Sequence, residues 1–354
     1  MKSTIHIIGT GTIGEPLIGL LLDFKDDLGL EQITFHKKTP LTTDRSKVIA
    51  LLKRGAKLAV DADRKHDFQA IGIEPVLETE QAIDNADVVI DCTPSGIGHA
   101  NKTRYYKHFL HNTKGFIAQG SEHGFGKPYA RGINDSALVA GDDRFVQVVS
   151  CNTHNLCVLV ETIGGKNYNE NIKDGRFVCI RRSNDISQNT GFSPSPDVGK
   201  HKDAKYGTHH ARDAAELFQT LGFDLNLHSS ALKLNTQYMH SLWFSIVLDE
   251  KITREEVIRR LKTNDRVAMT EKTTANQVFS FGRDHGHYGR ILNQTVIVTP
   301  TIQVRNENEV IGFCFTPQDG NSLLSSISAA MWMINPDDYS DKVQCLGKYF
   351  FSEV

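Results

Sequence analysis

The sequence predicts an α/β protein, with a doubly wound parallel sheet in its first half and an α+β domain with a mainly antiparallel sheet in its second half. Up to about residue 150, short buried strands alternate with helix-like runs, the pattern of a parallel sheet covered by helices. Beyond Cys151, strand-like stretches predominate. A chain of 354 residues is long for one domain, so we expect a first domain over 1–150 and a second one after it.

Composition and charge indicate a soluble globular protein. The chain is 39% hydrophobic and 23% charged, with a net charge of −2, which gives no reason to expect a nucleic-acid or membrane partner. Its six cysteines form no CxxC pair, so we predict no metal site, no disulfide framework and a reducing, cytoplasmic location. The N-terminus shows no signal peptide, and the apolar run at 17–22 is too short to span a bilayer.

The first element is a strand over 5–8, followed directly by a glycine-rich turn and a helix-like run over 16–22. The turn carries a GxGxxG pattern at Gly9, Gly11 and Gly14, and strand, turn and helix are the context that a dinucleotide fingerprint requires. Gly9 permits the tight turn, Gly11 admits the pyrophosphate and Gly14 lets the helix pack on the strand. The pyrophosphate would then rest on the helix N-terminus.

The second strand, over 32–36, is expected to end at the adenosine ribose of the cofactor. An NAD-specific site has Asp or Glu there, whereas this chain has Lys37, Lys38 and Thr39. Two cations and a hydroxyl suit a 2′-phosphate, so we predict NADP, or use of both NADP and NAD. A solvated pair of surface lysines is the alternative.

Two further buried strands complete the first domain. Residues 86–91 lead into a loop that starts near Thr93, and a strand over 116–120 has Gly120 at its exit. Loops at the carboxyl ends of parallel strands line the ligand crevice of a doubly wound (Rossmann) domain.

Cys151 is the strongest candidate for chemistry. A strand over 144–150 precedes it and an apolar, helix-like run over 156–163 follows, so the thiol is expected at a helix N-terminus. The free N–H groups there lower the pKa of a thiol and receive an oxyanion, which predicts a nucleophile. A small buried hydrophobic residue is the alternative.

The second half of the sequence is predicted to form mainly strands, with a few helices. Strands are predicted over 175–182, 295–305 and 309–315. Thr253 and Glu256 form a capping box that starts an amphipathic helix. The polar stretch over 184–199 is predicted to be a loop without an assigned role.

Three groups of polar residues stand out in this half. Arg181 and Arg182 end a strand and point to opposite faces, so one is expected in a site while the other pairs elsewhere. His209 and His210 precede an amphipathic helix, a second anion-friendly position. His240 lies in an apolar run. A solvated strand end and a satisfied core histidine are the respective alternatives.

Taken together, these motifs resemble the archaeal-type (class II) glyceraldehyde-3-phosphate dehydrogenases along almost the whole chain. The resemblance rests on the glycine turn, the Lys-Thr-Pro after strand two, Thr93 with its neighbours, the stretch over 119–122, the Ser-Cys-Asn-Thr over 150–153, the arginine pair, the His-His-Ala over 209–211 and the Met-His ending at His240. The Ser-Cys-Asn-Thr stretch is highly specific for glyceraldehyde-3-phosphate dehydrogenases.

The resemblance implies a set of roles. Cys151 would be the nucleophile and His240 the general base. The substrate and its phosphate would bind at Ser150, Asn152, Thr153, Arg181, His209 and His210. The cofactor would contact Thr12, Ile13, Gly120, Arg182 and Gln318, besides the residues of the glycine turn and of the two strand ends. It also implies a homotetramer, a catalytic domain over 151–319 and a C-terminal helix, about 320–354, that returns to the first domain.

The chain also departs from the family. His154, Asn155 and Cys157 replace small residues or leucines, and Pro317-Gln318-Asp319 replaces the usual His-Gln-Glu. Three alternatives stay open: a related reductase of aspartate semialdehyde or of an acyl phosphate, a dehydrogenase of another phospho-aldehyde such as erythrose 4-phosphate, and a non-catalytic dinucleotide-binding regulator.

Overall fold

The computed structural model describes residues 3–317 and 319–354 and divides into two compact units. The first unit comprises Met1–Tyr129, Leu138–Val148 and Leu323–Gly347, and the second Ala130–Ala137, Val149–Ser322 and Lys348–Val354. One unit holds a parallel sheet flanked by helices and the other a mixed, mainly antiparallel sheet, so the predicted fold class is confirmed. No helix of the described residues is long and apolar enough to cross a membrane.

The first unit is built on an eight-stranded sheet in the order β4-β3-β2-β1-β5-β6-β8-β7, in which every pair of neighbours is parallel. Its strands are β1 (Ser3–Ile8), β2 (Leu30–His36), β3 (Lys57–Val60), β4 (Leu77–Glu78), β5 (Val88–Asp91), β6 (Gly115–Ala118), β7 (Lys127–Tyr129) and β8 (Phe145–Val148). The helices between them are α1 (Gly14–Asp23), α2 (Arg45–Lys53), α3 (Lys65–Ala70), α4 (Thr79–Asp84) and α5 (Ile97–Arg104).

The central strands explain why this sheet forms and where it binds. Ile5, Ile7, Val89 and Ile90 are completely buried, as expected for strands covered by helices on both faces. The strand order reverses between β1 and β5, which lie side by side. A crevice opens at the carboxyl ends of the strands at such a switch point, and this is where ligands bind in doubly wound sheets.

The second unit is built on a sheet in the order β10-β11-β9-β12-β16-β14-β13, with β15 paired to β16. Its strands are β9 (Ile172–Arg181), β10 (Asp197–Val198), β11 (Leu227–Lys233), β12 (His240–Leu248), β13 (Val267–Thr270), β14 (Thr295–Val298), β15 (Gln303–Arg305) and β16 (Glu309–Thr316). Its helices are α6 (Cys151–Gly164), α7 (Tyr168–Asn171), α8 (His209–Gln219), α9 (Arg254–Thr263) and α10 (Ala275–His285); α11 (Gly320–Ile334) and α12 (Tyr339–Val343) follow.

Helix α6 is the centre of the second unit. Twelve of its residues are buried, including the apolar run from Leu156 to Val160. Cys157 is among them and packs in the hydrophobic core. The capping box of α9 is present as well, because the Glu256 N–H donates to the Thr253 hydroxyl.

Prolines break two predicted elements. The strand predicted over 295–305 is interrupted at 299–301 by a turn of 3₁₀ helix that contains Pro300. The predicted C-terminal helix ends at Ile334, two residues before Pro336, and continues only as α12 and a 3₁₀ segment. Proline lacks the N–H that either element needs and restricts the residue before it.

Candidate active site

The glycine turn after β1 has the geometry that the fingerprint predicts. Gly9 has a positive φ of 98°, which favours glycine. A Cβ on Gly14 would lie 2.0 Å from the Gly9 carbonyl oxygen, so only glycine lets α1 approach the strand. A Cβ on Gly11 would meet no atom within 4 Å, so the backbone there faces open space. This open space is what a pyrophosphate needs.

The start of α1 is equipped for an anion. Its N-cap residue Ile13 supplies no side-chain acceptor for the first N–H groups of the helix. Thr12 and Ile13 are half-buried in the same turn, and the Lys47 ammonium group donates to the Thr10 carbonyl at 3.1 Å. An open glycine and a nearby cation, at a helix whose N-cap residue supplies no side-chain acceptor, fit the pyrophosphate of a dinucleotide.

The residues after β2 form a charged cluster. Lys37 makes an ion pair with Asp44 at 2.5 Å, and Lys47 lies 3.3 Å from the same carboxylate. Although burial works against it, these lysines hold the pKa of Asp44 below its usual value. Lys38 and Thr39 are exposed. The predicted 2′-phosphate position therefore contains a carboxylate that the sequence analysis did not consider.

The loops after β5 and β6 are held by buried carboxylates. Asp91 accepts hydrogen bonds from the Thr93 N–H at 2.9 Å and from the Thr93 hydroxyl, so that side chain is turned to the protein. Glu122 accepts from the N–H groups of Gly96 at 2.5 Å and His99 at 2.8 Å, and so occupies the N-terminus of α5. Gly120 lies two residues beyond β6. Of the two helix N-termini at this edge, that of α5 is occupied by the Glu122 carboxylate, whereas the N-cap residue of α1 supplies no side-chain acceptor.

In the second unit, Cys151 is the first residue of α6, as the sequence predicts. Ser150 is the N-cap, and its hydroxyl accepts from the Thr153 N–H at 3.3 Å and bonds to the Thr153 hydroxyl at 2.9 Å. The Cys151 side chain is half-buried. The capping side chain thus orients the helix end that carries the thiol.

The electrostatic environment of Cys151 differs from the expectation. Burial raises the pKa of its thiol to about 12, and the nearby Asp319 carboxylate acts in the same direction. Arg182 and the Asn152 N–H oppose this effect without overcoming it. Desolvation of the charged form thus opposes the pKa-lowering effect of the helix N–H groups at this position.

Buried amides attach the start of α6 to the sheet. The Thr316 hydroxyl donates to the Asn152 amide oxygen at 3.0 Å and accepts from the Asn155 amide at 2.9 Å. The Asn321 amide donates to the Cys151 carbonyl at 3.0 Å. Asn152 and Thr153 are both buried, so their side chains serve the protein interior.

The two arginines at the end of β9 lie in different environments, as expected because successive side chains of a strand point to opposite faces. Arg181 is exposed, whereas the Arg182 side chain is only 2% exposed. The Arg182 guanidinium pairs with Asp185 and donates to the Tyr238 carbonyl at 3.0 Å. Arg181 is thus the arginine that is available to an anion.

His240 lies at the start of β12, opposite Thr316 in the antiparallel register with β16. Its Nδ1 atom accepts a hydrogen bond from the Arg182 backbone N–H at 3.0 Å. Burial, with the charges of Arg182 and Arg181, lowers the pKa of His240 to about 3, so the ring is neutral at physiological pH.

The histidine pair lies at the start of α8, as predicted. The rings of His209 and His210 are 3.9 Å apart. Among the described residues, neither ring nitrogen of the buried His210 has a hydrogen-bond partner. Burial, followed by the charges of His209, Arg181 and His240, lowers the pKa of His210. A buried ring with unused nitrogens beside a helix N-terminus suits a polar ligand.

A polar cleft of about 280 Å³ lies in the second unit. Arg181, Arg182, Lys233 and His240 line it, together with the 183–191 part of the loop that the sequence left unassigned. Lys233 pairs with Arg181 in the β11–β9 register. Within this lining, the Asp185 carboxylate is already paired with Arg182, so the cleft is positively charged.

The sequence analysis missed several of these residues. No sequence motif marked four of them: Asp319, Asn321, Asp185 and Lys233. Asp319, however, belongs to a stretch in which the chain departs from the family. Asp319 has a positive φ of 63° and lies 3.5 Å from Arg290. Gln318, a predicted cofactor contact, lies outside the described residues.

Comparison with known proteins confirms the resemblance. No protein-family model matches the chain. It is 27% identical over 319 residues to a glyceraldehyde-3-phosphate dehydrogenase of Sulfolobus acidocaldarius, covering 88% of this chain and 86% of that protein. The enzyme of the same name from Methanocaldococcus jannaschii is 28% identical, with coverage of 88% and 87%, and that from Methanobacterium formicicum is 29% identical, with coverage of 76% and 74%.

Proposed function

We propose that this protein is an NAD(P)-dependent, phosphorylating glyceraldehyde-3-phosphate dehydrogenase, which converts glyceraldehyde 3-phosphate to 1,3-bisphosphoglycerate in glycolysis or gluconeogenesis. One observation carries the proposal: a cysteine begins a buried helix in the same unit as a positively charged cleft lined by Arg181 and His240. The archaeal relatives bear the name of this enzyme.

The cofactor is proposed to bind at the glycine turn of the first unit. The N–H groups at the start of α1 and the open backbone at Gly11 would hold its pyrophosphate, and Lys37, Lys38 and Thr39 its adenosine ribose. When bound, the nicotinamide supplies a hydride acceptor. We favour NADP, or use of both cofactors, since two lysines and a threonine directly follow β2, although Asp44 pairs with the first of these lysines.

The chemistry of the chain itself starts at Cys151. Its thiolate, having released its proton to solvent, forms a bond to the aldehyde carbon, and the carbonyl oxygen becomes an alkoxide of a thiohemiacetal. The N–H groups at the start of α6 stabilise that charge. Oxidation leaves a thioester on Cys151, and inorganic phosphate displaces the thiolate to release the acyl phosphate.

The cleft explains the preference for phosphate. Arg181, with its exposed guanidinium, and the His209–His210 pair are proposed to bind the substrate phosphate and the attacking phosphate. Ser150, Asn152 and Thr153 are proposed to support the substrate through the backbone of the helix start, because their side chains bond within the protein. His240 is proposed to act as the general base of the reaction.

An absorbance assay of reduced nicotinamide tests the proposal. The purified protein is given glyceraldehyde 3-phosphate with and without inorganic phosphate, with NAD and NADP in parallel. We expect reduction that depends on phosphate and falls at least about 10³-fold in Cys151→Ser. Cys345→Ser, a cysteine of the first unit, is the matched control and should keep its activity.

Other outcomes separate the alternatives. Faster turnover of erythrose 4-phosphate or of aspartate semialdehyde would reassign the substrate and keep the enzyme class. Absence of reduction with every aldehyde, together with nucleotide binding, would favour a non-catalytic regulator. We further propose a cytoplasmic homotetramer, as the resemblance implies, and sedimentation of the purified protein tests the tetramer.

A further inference from the structure

We propose that the buried carboxylate of Asp91 is a positioning residue of the dinucleotide site. It holds the loop of residues 92–98 beside the glycine turn, so that the backbone of this loop meets the cofactor in one conformation. The Thr93 hydroxyl then serves Asp91 and makes no contact with the cofactor. All of these residues belong to the first unit, and the proposal rests on the cofactor site proposed above.

The loop starts where two central strands end side by side. β1 and β5 are parallel neighbours, and Ile8 lies opposite Asp91 in their register. The Cys92 N–H donates to the Ile8 carbonyl at 2.8 Å, one residue beyond β5. A Cβ on Gly9 would lie 3.0 Å from the Cys92 carbonyl oxygen, so the glycine turn packs directly on the loop backbone. The loop and the turn therefore share the edge at which a doubly wound sheet binds its ligand.

Asp91 uses its two oxygens for two different parts of the unit. The residue is only 2% exposed. Its Oδ1 atom accepts from the Thr93 N–H at 2.9 Å and from the Thr93 hydroxyl, which fixes the start of the loop. Its Oδ2 atom accepts from the Asn101 amide at 2.8 Å and from the Tyr106 hydroxyl at 2.5 Å. Four donors use the full acceptor capacity of an ionised carboxylate, so the side chain cannot turn without breaking several hydrogen bonds.

Tyr106 holds Asp91 from a position that a ligand cannot reach. It is completely buried, and its ring stacks on Phe116 with the centroids 4.6 Å apart. Burial, together with the charge of Asp91, raises the pKa of the Tyr106 hydroxyl, which keeps it a proton donor. An effect of Tyr106 on cofactor binding can therefore arise only through Asp91 or through the stability of the unit.

A second buried carboxylate fixes the far end of the loop. Glu122 accepts from the N–H groups of Gly96 at 2.5 Å and His99 at 2.8 Å. Between the two carboxylates, residues 94–97 are exposed, and Gly96 has a positive φ of 85°. A loop that is held at both ends keeps its exposed backbone in place before a ligand arrives. This preorganisation reduces the conformational entropy that is lost on binding.

The strand order indicates which half of a dinucleotide depends on this loop. β2 and β5 flank β1 on opposite sides. The adenosine ribose is proposed to bind after β2, so the loop after β5 lies on the other side of the glycine turn. We therefore expect Asp91 to affect the affinity for a whole dinucleotide and to leave the affinity for its adenosine half unchanged.

Calorimetric titration of the full-length protein tests the inference. The dinucleotide that the wild type binds more tightly, NADP or NAD, is compared with its adenosine half, adenosine 2′,5′-bisphosphate or AMP. We expect Tyr106→Phe and Thr93→Val each to raise the Kd for the dinucleotide about tenfold, as for the loss of a hydrogen bond to a charged group, and to change the Kd for the adenosine half less than about twofold. Thr93→Ser keeps the hydroxyl and should bind as the wild type does.

Tyr105→Phe is the matched control. It is the same substitution one residue earlier, at a half-buried ring that lies 4.8 Å from the Arg104 guanidinium, and it should leave both affinities unchanged. Weaker binding in Thr93→Val alone, with Tyr106→Phe unchanged, would show a direct contact of the Thr93 hydroxyl with the cofactor and overturn the inference.

Two other results would also overturn it. Equal losses for the dinucleotide and for the adenosine half would show a general disturbance of the unit, and unchanged affinities in both variants would show that the loop needs no such support. The titration uses no aldehyde. A protein that shows the expected pattern of affinities but oxidises no aldehyde would refute the proposed reaction and leave the role of Asp91 standing.

Discussion

The glycine turn of the first unit and the cleft of the second unit are organised by opposite means. In the turn, six consecutive residues and their backbone geometry provide the whole arrangement, from Gly9 to Gly14. In the cleft, side chains converge from β9, the loop that follows it, β11 and β12. The first arrangement depends on the absence of side chains and the second on their charges.

The two regions also differ in how favourable they are for a negative charge. At α1 the N-cap residue supplies no side-chain acceptor and the backbone at Gly11 is unobstructed, so an anion can approach. At α6 the helix end carries a thiol whose pKa burial raises to about 12. A local motif thus suffices for binding phosphate groups, whereas reactivity depends on what the fold brings around the thiol.

The largest expected effect tests the backbone side of this comparison. Gly14→Ala places a methyl group 2.0 Å from the Gly9 carbonyl oxygen, so we expect a loss of about 3 kcal/mol in stability, measured by denaturant unfolding. Gly11→Ala is the matched control. Its Cβ meets no atom, so stability should be unchanged while nucleotide binding weakens by about 1–3 kcal/mol. Equal stability of the two variants would contradict the packing argument.

The second-largest expected effect tests the role of charged side chains in the cleft. Arg181→Gln removes the exposed guanidinium of the cleft, and we expect KM for inorganic phosphate or for the phosphorylated aldehyde to rise about 10–100-fold. Arg176→Gln, on the same strand but paired with Asp174, is the control. If both variants behave alike, Arg181 does not bind phosphate.

A smaller effect concerns the thiol itself. Asp319 helps to raise the pKa of Cys151, so Asp319→Asn should lower that pKa and increase the thiolate fraction at any pH below it. Asparagine tolerates the positive φ of this position. We expect alkylation of Cys151 by iodoacetamide at pH 8 to accelerate about three- to tenfold.

The pH dependence of Cys151 alkylation tests whether burial or the helix N–H groups dominate the pKa of the thiol. With a pKa of about 12, the thiolate fraction of the wild type should rise about tenfold per pH unit from pH 7 to 10. Asp284→Asn, at an exposed ion pair of α10, is the control and should leave the rates unchanged. An alkylation rate that levels off near pH 7 would mean that the helix N–H groups outweigh burial.

The smallest effect concerns the carboxylate beside Lys37. Asp44→Asn would release Lys37 and Lys47 for a 2′-phosphate, and we expect the preference for NADP over NAD to increase about two- to fivefold. Asp67→Asn, at a surface pair with Arg64, is the control for nonspecific charge effects. Titration of both nucleotides against each variant measures the ratio. A preference that shifts towards NAD would show that Asp44 does not compete for the lysines.

Local signals in the sequence predicted much of the fold. The alternation of strands and helices, the glycine turn, the start of α6 at Cys151, the start of α8 at His209 and the capping box of α9 all depend on residues within a few positions of one another. The errors occurred at Pro300 and Pro336, where a proline interrupts an otherwise suitable pattern. These features follow from backbone conformation and short-range hydrogen bonds, which are visible in sequence order.

The sequence by itself determined the two kinds of sheet, the glycine turn and the position of Cys151 at the start of a helix. Only the tertiary structure decided which arginine of the pair is exposed, which nitrogen of His240 accepts a hydrogen bond, and that the charge of Asp319 acts on Cys151. The physical reason is the range of the interactions. Backbone preferences act over a few residues, whereas desolvation and charge act between groups that are distant in the chain and close in space.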